Sequence, residues 1–218
     1  MRIHTFADTN RFKLSALAQA KEFKEIRFRG TEKSCYKKLN KSPSIKFQIP
    51  VNLDLSAHKV SLVIQSQLGG VDLPTDEKTA SNRFQYLIDV NLVFQHISRL
   101  IRCVVDFSLY SEDSIALRNS LALCRSLGAR CWDDSPLQLR QLERVGIVGV
   151  RKLVNAGIKS IEELENAEAH RIEMILKRAP PFGLQVIDAA RAFPKPRVSV
   201  QLVGRPVCSP ILARGANS

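Results

Sequence analysis

At 218 residues, 44% of them hydrophobic, the chain can bury a core as one or two domains. A net charge of +12 and a pI near 9.8 favour an anionic partner. No apolar run at the start resembles a signal peptide, and no stretch reaches the length of a membrane span, so an intracellular protein is expected.

The charge is uneven: residues 1–50 hold 12 Lys+Arg against 4 Asp+Glu, while residues 51–130 hold 8 against 8. The early cluster around Lys33, Lys37, Lys38, Lys41 and Lys46 is either a solvated surface or a phosphate-facing edge. The five cysteines include no Cys-x-x-Cys pair and none has a histidine at zinc-ligand spacing. Cys103 and Cys124 read as small apolar residues on buried helix faces, with reduced thiols.

In chain order, residues 1–13 show no period and read as an irregular start. Leu14 to Phe23 turns helical, and Glu32 to Leu39 forms a short basic helix broken by Asn40-Lys41-Ser42-Pro43. Ile45 to Ile49 alternates like a short edge strand before Pro50. Ser56 can cap a helix that runs to Leu68 and stops at Gly69-Gly70. The longest helix is predicted over Arg83 to Phe107. Its apolar stripe would be Leu87, Val90, Phe94, Ile97, Ile101, Val104 and Phe107, with His96, Arg99, Arg102 and Asp106 on the other face. Ser111 would cap the next helix, with Ile115, Leu121 and Leu127 inward and Gly128 at its end. Trp132 is read as a core residue.

Leu139 to Ala167, LRQLERVGIVGVRKLVNAGIKSIEELENA, carries the most information. Ser135-Pro136 is a cap with proline at the first helical position. A tight turn at Val145-Gly146-Ile147 then leads into a helix bearing Gly149, Arg151 and Lys152. This is the pattern of a helix-hairpin-helix, which grips a nucleic-acid backbone without reading sequence. Glycine lets the turn approach a phosphate, and the free amides and positive end of the second helix face that anion. A plain helical hairpin, in which Gly146 merely permits the turn, is the alternative. Ser160-x-x-Glu163 is a capping box that opens a further helix pair through Met174 and Leu176. Ala179 to Gly183 breaks the chain before a last helix over Leu184 to Ala192.

The fold class expected is all-α, a helical bundle with one long helix followed by the hairpin and a short β-strand stump. The segments are 1–13 irregular, 14–130 helical bundle, 131–196 hairpin unit, and 197–218 a stump at Val198, Val200 and Leu202 with a tail.

The runs AQAKEFKEIRFRGTEKSCYKKLNKSPSIKFQIPVNLD, DVNLVFQHISRLIRCVVD, ARCWDDSPLQLRQLERVGIVGVRKLVNAGIKSIEELE and HRIEMILKRAPPFGLQV support a family resemblance over about residues 16–203. The sequence resembles the C-terminal helical module, named after the Sec-63 translocation protein, of superfamily-two ATP-dependent DNA helicases. Within these it resembles the meiotic crossover helicases of filamentous fungi. The resemblance implies that the long helix is a ratchet helix lying across the helicase channel and contacting translocating single-stranded DNA, with His96, Arg99 and Arg102 as contacts. It implies a backbone clamp at Gly146, Ile147, Gly149, Arg151 and Lys152, a nuclear protein, DNA and other recombination proteins as partners, and no membrane. The family's hairpin has a second glycine where Arg144 stands and often alanine where Val150 stands, which makes this turn less open.

A helicase motor needs a G-x-x-x-x-G-K-[ST] loop and an acidic magnesium motif, and neither occurs here. No cofactor is therefore expected in this chain. ATP and magnesium would belong to motor domains outside it, and the chain reads as a fragment of such a helicase, without activity by itself. Two other functions compete. One is a protein-interaction scaffold that uses an exposed Phe182 loop. The other is a base-excision glycosylase, disfavoured because Glu162, Glu163, Glu165 and Glu168 read as an exposed helix surface. The four histidines are scattered, with no nucleophile motif beside them.

Overall fold

The computed structural model describes residues 6–50, 55–74, 80–194 and 199. Among these the chain is helical, with no strand. Helix α1 spans Phe6–Ala18, α2 Lys33–Asn40, α3 Ser56–Leu68, α4 Ala80–Tyr110 and α5 Ser114–Ala129. Then come α6 at Ile147–Asn155, α7 at Ile161–Glu165, α8 at Ala169–Leu176 and α9 at Phe182–Arg191, with short 3-10 turns at Lys21–Phe23 and Pro136–Gln141. The expected strand stump at Val198, Val200 and Leu202 lies outside the described residues.

Where the ends of helices are set by neighbouring residues, sequence and structure agree closely. Ser135 accepts from the Leu137 amide with Pro136 at the first turn, although the element it opens is a 3-10 turn and not an α-helix. Ser160 and Glu163 form the reciprocal capping box of α7. Three expected caps are corrected, the first at α3, whose N-cap is Leu55 with no side-chain cap where Ser56 was expected. Ser111 donates to Phe107 O and closes α4, while Asp113 accepts from the Ala116 amide and opens α5. The left-handed residue ending α5 is Arg130 (φ 52°), not Gly128. Its guanidinium lies 4.7 Å from the centre of the Phe94 ring, and the Cys131 amide closes back on Ser126 O. The start of the chain differs as well, because α1 already runs from Phe6, within the segment 1–13 expected to be irregular.

The segment 45–49, expected as an edge strand, bends at Lys46 and Phe47 and pairs with no strand. The side-chain amide of Gln65 instead takes both backbone groups of Phe47, at 2.7 and 2.9 Å. Asn40 does the same for Ile49, at 2.9 and 3.0 Å. Two side chains thus satisfy the backbone groups that a neighbouring strand would have paired.

The bundle is organised around α3, whose residues from Lys59 to Leu68 are all buried. Helices α1, α2 and α4 pack against it. A helix enclosed this way must satisfy its polar side chains internally. Ser66 Oγ and Gln67 Nε2 meet the Tyr86 hydroxyl at 2.7 and 2.9 Å. Lys59 Nζ donates to Glu32 Oε2 at 2.8 Å and to Arg27 O at 3.1 Å. It also lies 2.7 Å from Asp89 Oδ2 without hydrogen-bond alignment, and 5.6 Å from the centre of the Tyr36 ring.

On α4 the buried stripe is Tyr86, Val90, Val93, Ile97 and Ile101, continued by Ser108. The expected stripe is therefore partly out of phase: Leu87 is exposed and Phe107 is 70% exposed. Ile115 and Leu121 on α5 and Cys103 on α4 are also exposed, not inward. Trp132 is buried, as expected, and sits edge-on to Phe47.

Burial raises the pKa of Tyr36, with Asp89 and Glu32 adding to the rise, and burial likewise raises that of Tyr86. Their phenols stay protonated in the folded chain above the ordinary value of 10.0. The stability they contribute is complete below about pH 10 and is lost as pH climbs towards their folded values. A titration of phenolate absorbance should therefore show these two tyrosines ionising late and together with unfolding, followed by circular dichroism. Ionisation of all three tyrosines with helicity intact would contradict their burial.

A second cluster holds Leu139, Leu142, Val145, Val150, Leu153, Ile161, Leu164, Ile172, Val186 and Ile187. It is joined to the first through the end of α3. Arg140 Nη1 donates to Gln67 O at 2.7 Å, the Trp132 amide to Leu68 O at 3.2 Å, and Arg151 Nη2 to Gly70 O at 2.6 Å. Two guanidinium groups thus meet carbonyls at the negative end of a buried helix. Gly70 (φ +62°) is enclosed here too: a Cβ would lie 3.0 Å from Ile147 Cδ1 and 3.1 Å from Leu137 Cδ1.

Candidate nucleic-acid interface

The Pro136–Asn155 unit places the expected hairpin residues in distinct roles. Gly146 stands before α6 with an ordinary extended backbone (φ −69°), and no side chain caps the helix. The first return bond is Val150 N–H to Gly146 O, so the amides of Ile147, Val148 and Gly149 have no acceptor within the helix. A Cβ at Gly146 would meet nothing within 4 Å. The internal packing therefore does not need a glycine there. The starts of α7 and α9, by contrast, are closed by Glu163 and Glu173, the latter accepting from the Gly183 amide at 2.9 Å.

The remaining residues divide. Gly149 is a packing glycine, because a Cβ would sit 3.2 Å from both Leu176 Cδ2 and Val145 Cγ1. Ile147 packs on Gly70, and Arg151 is bonded to Gly70 O, so both serve the joint to the bundle. Lys152 is exposed and makes no ion pair or side-chain hydrogen bond among the described residues. Arg144, in the place of the family's second glycine, is exposed and donates to Gln185 Oε1 at 2.6 Å. Val150 is fully buried, which accounts for a residue larger than alanine at that position.

On α4, His96 is half-buried, with its ring 6.4 Å from that of Phe23. Arg99 pairs with Glu22 at 3.0 Å while remaining 68% exposed. Such a pair contributes about 0–1 kcal/mol and is readily exchanged for a phosphate. Arg102 is exposed and has no ion pair with Asp106 or any other acid among the described residues. The three lie along one side of the helix over about 9 Å.

Sequence reasoning missed the outward stripe that the corrected phase reveals: Phe84, Ile88, Asn91, Gln95, Ser98 and Arg102, all exposed. An aromatic residue at one end and a cation at the other are the groups that stack on bases and track phosphates. The signal is present in Phe84, which falls outside any stripe containing Val90 and Ile97. Phe182 is not an exposed docking residue: it is half-buried beneath Arg178, whose guanidinium lies 5.7 Å from the ring centre. Among the described residues no cluster of His, Cys, Asp and Glu could hold a metal ion, and no helix is long and apolar enough to cross a membrane.

The fold is thus that of an all-helical module built around a buried helix, flanked by a 31-residue helix with one exposed face. The chain belongs to the Sec63 Brl domain family, which matches residues 5–213. It is 38% identical over 180 residues to the ATP-dependent DNA helicase MER3 of Saccharomyces cerevisiae, a match covering 79% of this chain and 15% of that protein. It is 33% identical over 196 residues to the probable ATP-dependent DNA helicase HFM1 of Homo sapiens, covering 88% of this chain and 13% of that one. The chain thus spans only a small part of the length of these relatives.

Proposed function

We propose that the chain is a DNA-binding module of a nuclear, meiotic 3'-5' helicase acting in crossover formation, and is non-catalytic by itself. In this reading single-stranded or branched DNA lies along the outward face of α4, touching His96, Arg99 and Arg102. Its backbone is held at the uncapped start of α6. Other recombination proteins are proposed as partners, and ATP and magnesium belong to motor domains outside this chain. The observation that carries the reading is Gly146. Its backbone angle needs no glycine and a Cβ there would meet nothing within 4 Å, so the bare backbone serves an approach from outside. Three amides and the helix dipole face that approach.

The test is fluorescence anisotropy with labelled oligothymidine and a branched duplex across a salt series. Binding should be indifferent to sequence and fall steeply with salt. Lys152→Glu should weaken it on every substrate and lower the salt slope by about 1, with thermal stability unchanged. Arg151→Ala should instead lower the melting temperature, because it breaks the bond to Gly70 O. Identical titrations for wild type and Lys152→Glu would remove α6 from the interface.

A further inference from the structure

A groove of about 660 Å³ opens between α1, the start of α3 and the segment 47–50, and shares no residue with the candidate nucleic-acid interface. Its floor is apolar, formed by Leu14, Ala18, Phe47, Ile49 and Ala57. Arg11, Lys24 and Arg27 stand at its edge, all exposed, and no Asp or Glu is among the described residues that line it. Their side chains make no ion pair or hydrogen bond among the described residues. Helix α3 begins at the same edge without a side-chain cap. Among the described residues the charged side chains of the groove thus complement an anion, while the floor would be left wet by an ion alone.

The backbone along one wall narrows the occupant further. Phe47 and Ile49 spend their amide and carbonyl groups on Gln65 and Asn40. The alternating residue, Gln48, is exposed and has no backbone partner among the described residues. Gln48 therefore offers one unpaired backbone amide and carbonyl beside the floor, which a peptide backbone can meet with its own carbonyl and amide. No fully exposed aromatic ring stands among the described lining residues for a base to stack on: Phe23 is buried and Phe47 is half-buried and perpendicular to Trp132.

We propose that this groove binds an acidic peptide segment of a partner protein, laid extended against Gln48, with apolar side chains on the floor and carboxylates towards Arg11, Lys24 and Arg27. The probe is a fluorescein-labelled dodecapeptide alternating glutamate with leucine, titrated by anisotropy with the full chain. The controls are the same peptide with lysine for glutamate, and labelled oligothymidine. Saturable binding of the acidic peptide is expected, with the lysine peptide at least 10-fold weaker. Arg11→Glu with Lys24→Glu and Arg27→Glu should weaken acidic-peptide binding at least 10-fold. Ala57→Phe, which fills the floor without changing charge, should weaken the peptide several-fold and leave oligothymidine binding unchanged. Melting curves identify any variant that fails to fold, and Lys24→Glu alone, expected to weaken the peptide about 3-fold, then stands in for the triple change. The proposal is overturned if the acidic peptide shows no saturable binding up to millimolar chain. Equal binding of both peptides, or peptide binding untouched by the edge and floor changes, overturns it too. Competition by oligothymidine that is itself lost in Ala57→Phe would assign the groove to nucleic acid instead.

Discussion

Lys59→Met should destabilise the protein by about 3–5 kcal/mol, lowering the melting temperature by roughly 10 °C. The ammonium is 1% exposed and stands between the carboxylates of Glu32 and Asp89, which are 1% and 7% exposed. Removing it leaves two buried carboxylates with little left to compensate them: an Arg29 amide at 3.3 Å from Glu32 and the Gln85 amide at 3.2 Å from Asp89. Glu32 Oε1 already lacks a hydrogen-bond partner among the described residues. The cost is therefore that of two stranded charges, not of one lost contact. Adding Glu32→Gln and Asp89→Asn to Lys59→Met should restore most of the loss, because the charges go together. Urea unfolding of the single and triple variants measures both. A single variant within 1 kcal/mol of wild type would mean that the three groups are not buried together.

Gly183→Ala is the second large effect, with an expected cost of about 3 kcal/mol confined to the α8–α9 pair. A Cβ there would lie 2.2 Å from Ala169 O, 2.7 Å from its carbonyl carbon and 2.9 Å from its Cα. All three are backbone atoms at the start of α8 and cannot swing aside as a side-chain tip would. The helices must separate, which pulls the Gly183 amide from Glu173 and loosens Ile172 against Val186 and Ile187. Amide exchange should speed up in α8 and α9 while the amides of α3 and α4 keep their protection. Gly146→Ala is the matched control. Nothing lies near its Cβ, so its stability should stay within about 0.5 kcal/mol of wild type. Its oligothymidine affinity should fall, because the new methyl group occupies the approach. A Gly183→Ala protein with unchanged exchange would show that α8 and α9 do not pack backbone to backbone.

Features encoded within one helical turn are legible in the amino-acid sequence: the capping box at Ser160, the Ser135-Pro136 start, and the existence of the long helix. The all-helical class follows from the same periodicity. The candidate site is legible in part. Gly146 and Lys152 stand exposed where the pattern places them, and Arg102 faces outward on α4. Ile147 and Arg151 fit the same pattern equally well but are drawn to Gly70, and nothing within Leu139–Ala167 signals a carbonyl on a different helix. Phe84 escapes a sequence reading because a stripe drawn through Leu87 and Phe107 has a different phase from the buried one.

What depends on neighbours three or four residues away is written in the chain: which segments are helical, how several of them begin, and that the surface is basic. Which faces are covered is settled only when the helices meet. Helix α3, SAHKVSLVIQSQL, carries enough polar residues to pass for a surface helix. It is nevertheless enclosed, because Glu32, Asp89, Tyr86 and the backbone of Phe47 each supply a partner from far along the chain. The segment 45–49 alternates as a strand does, yet two amide side chains replace its neighbour. Burial is a property of partners distant in sequence, and a local pattern records only that a side chain could be buried, not what would meet it there.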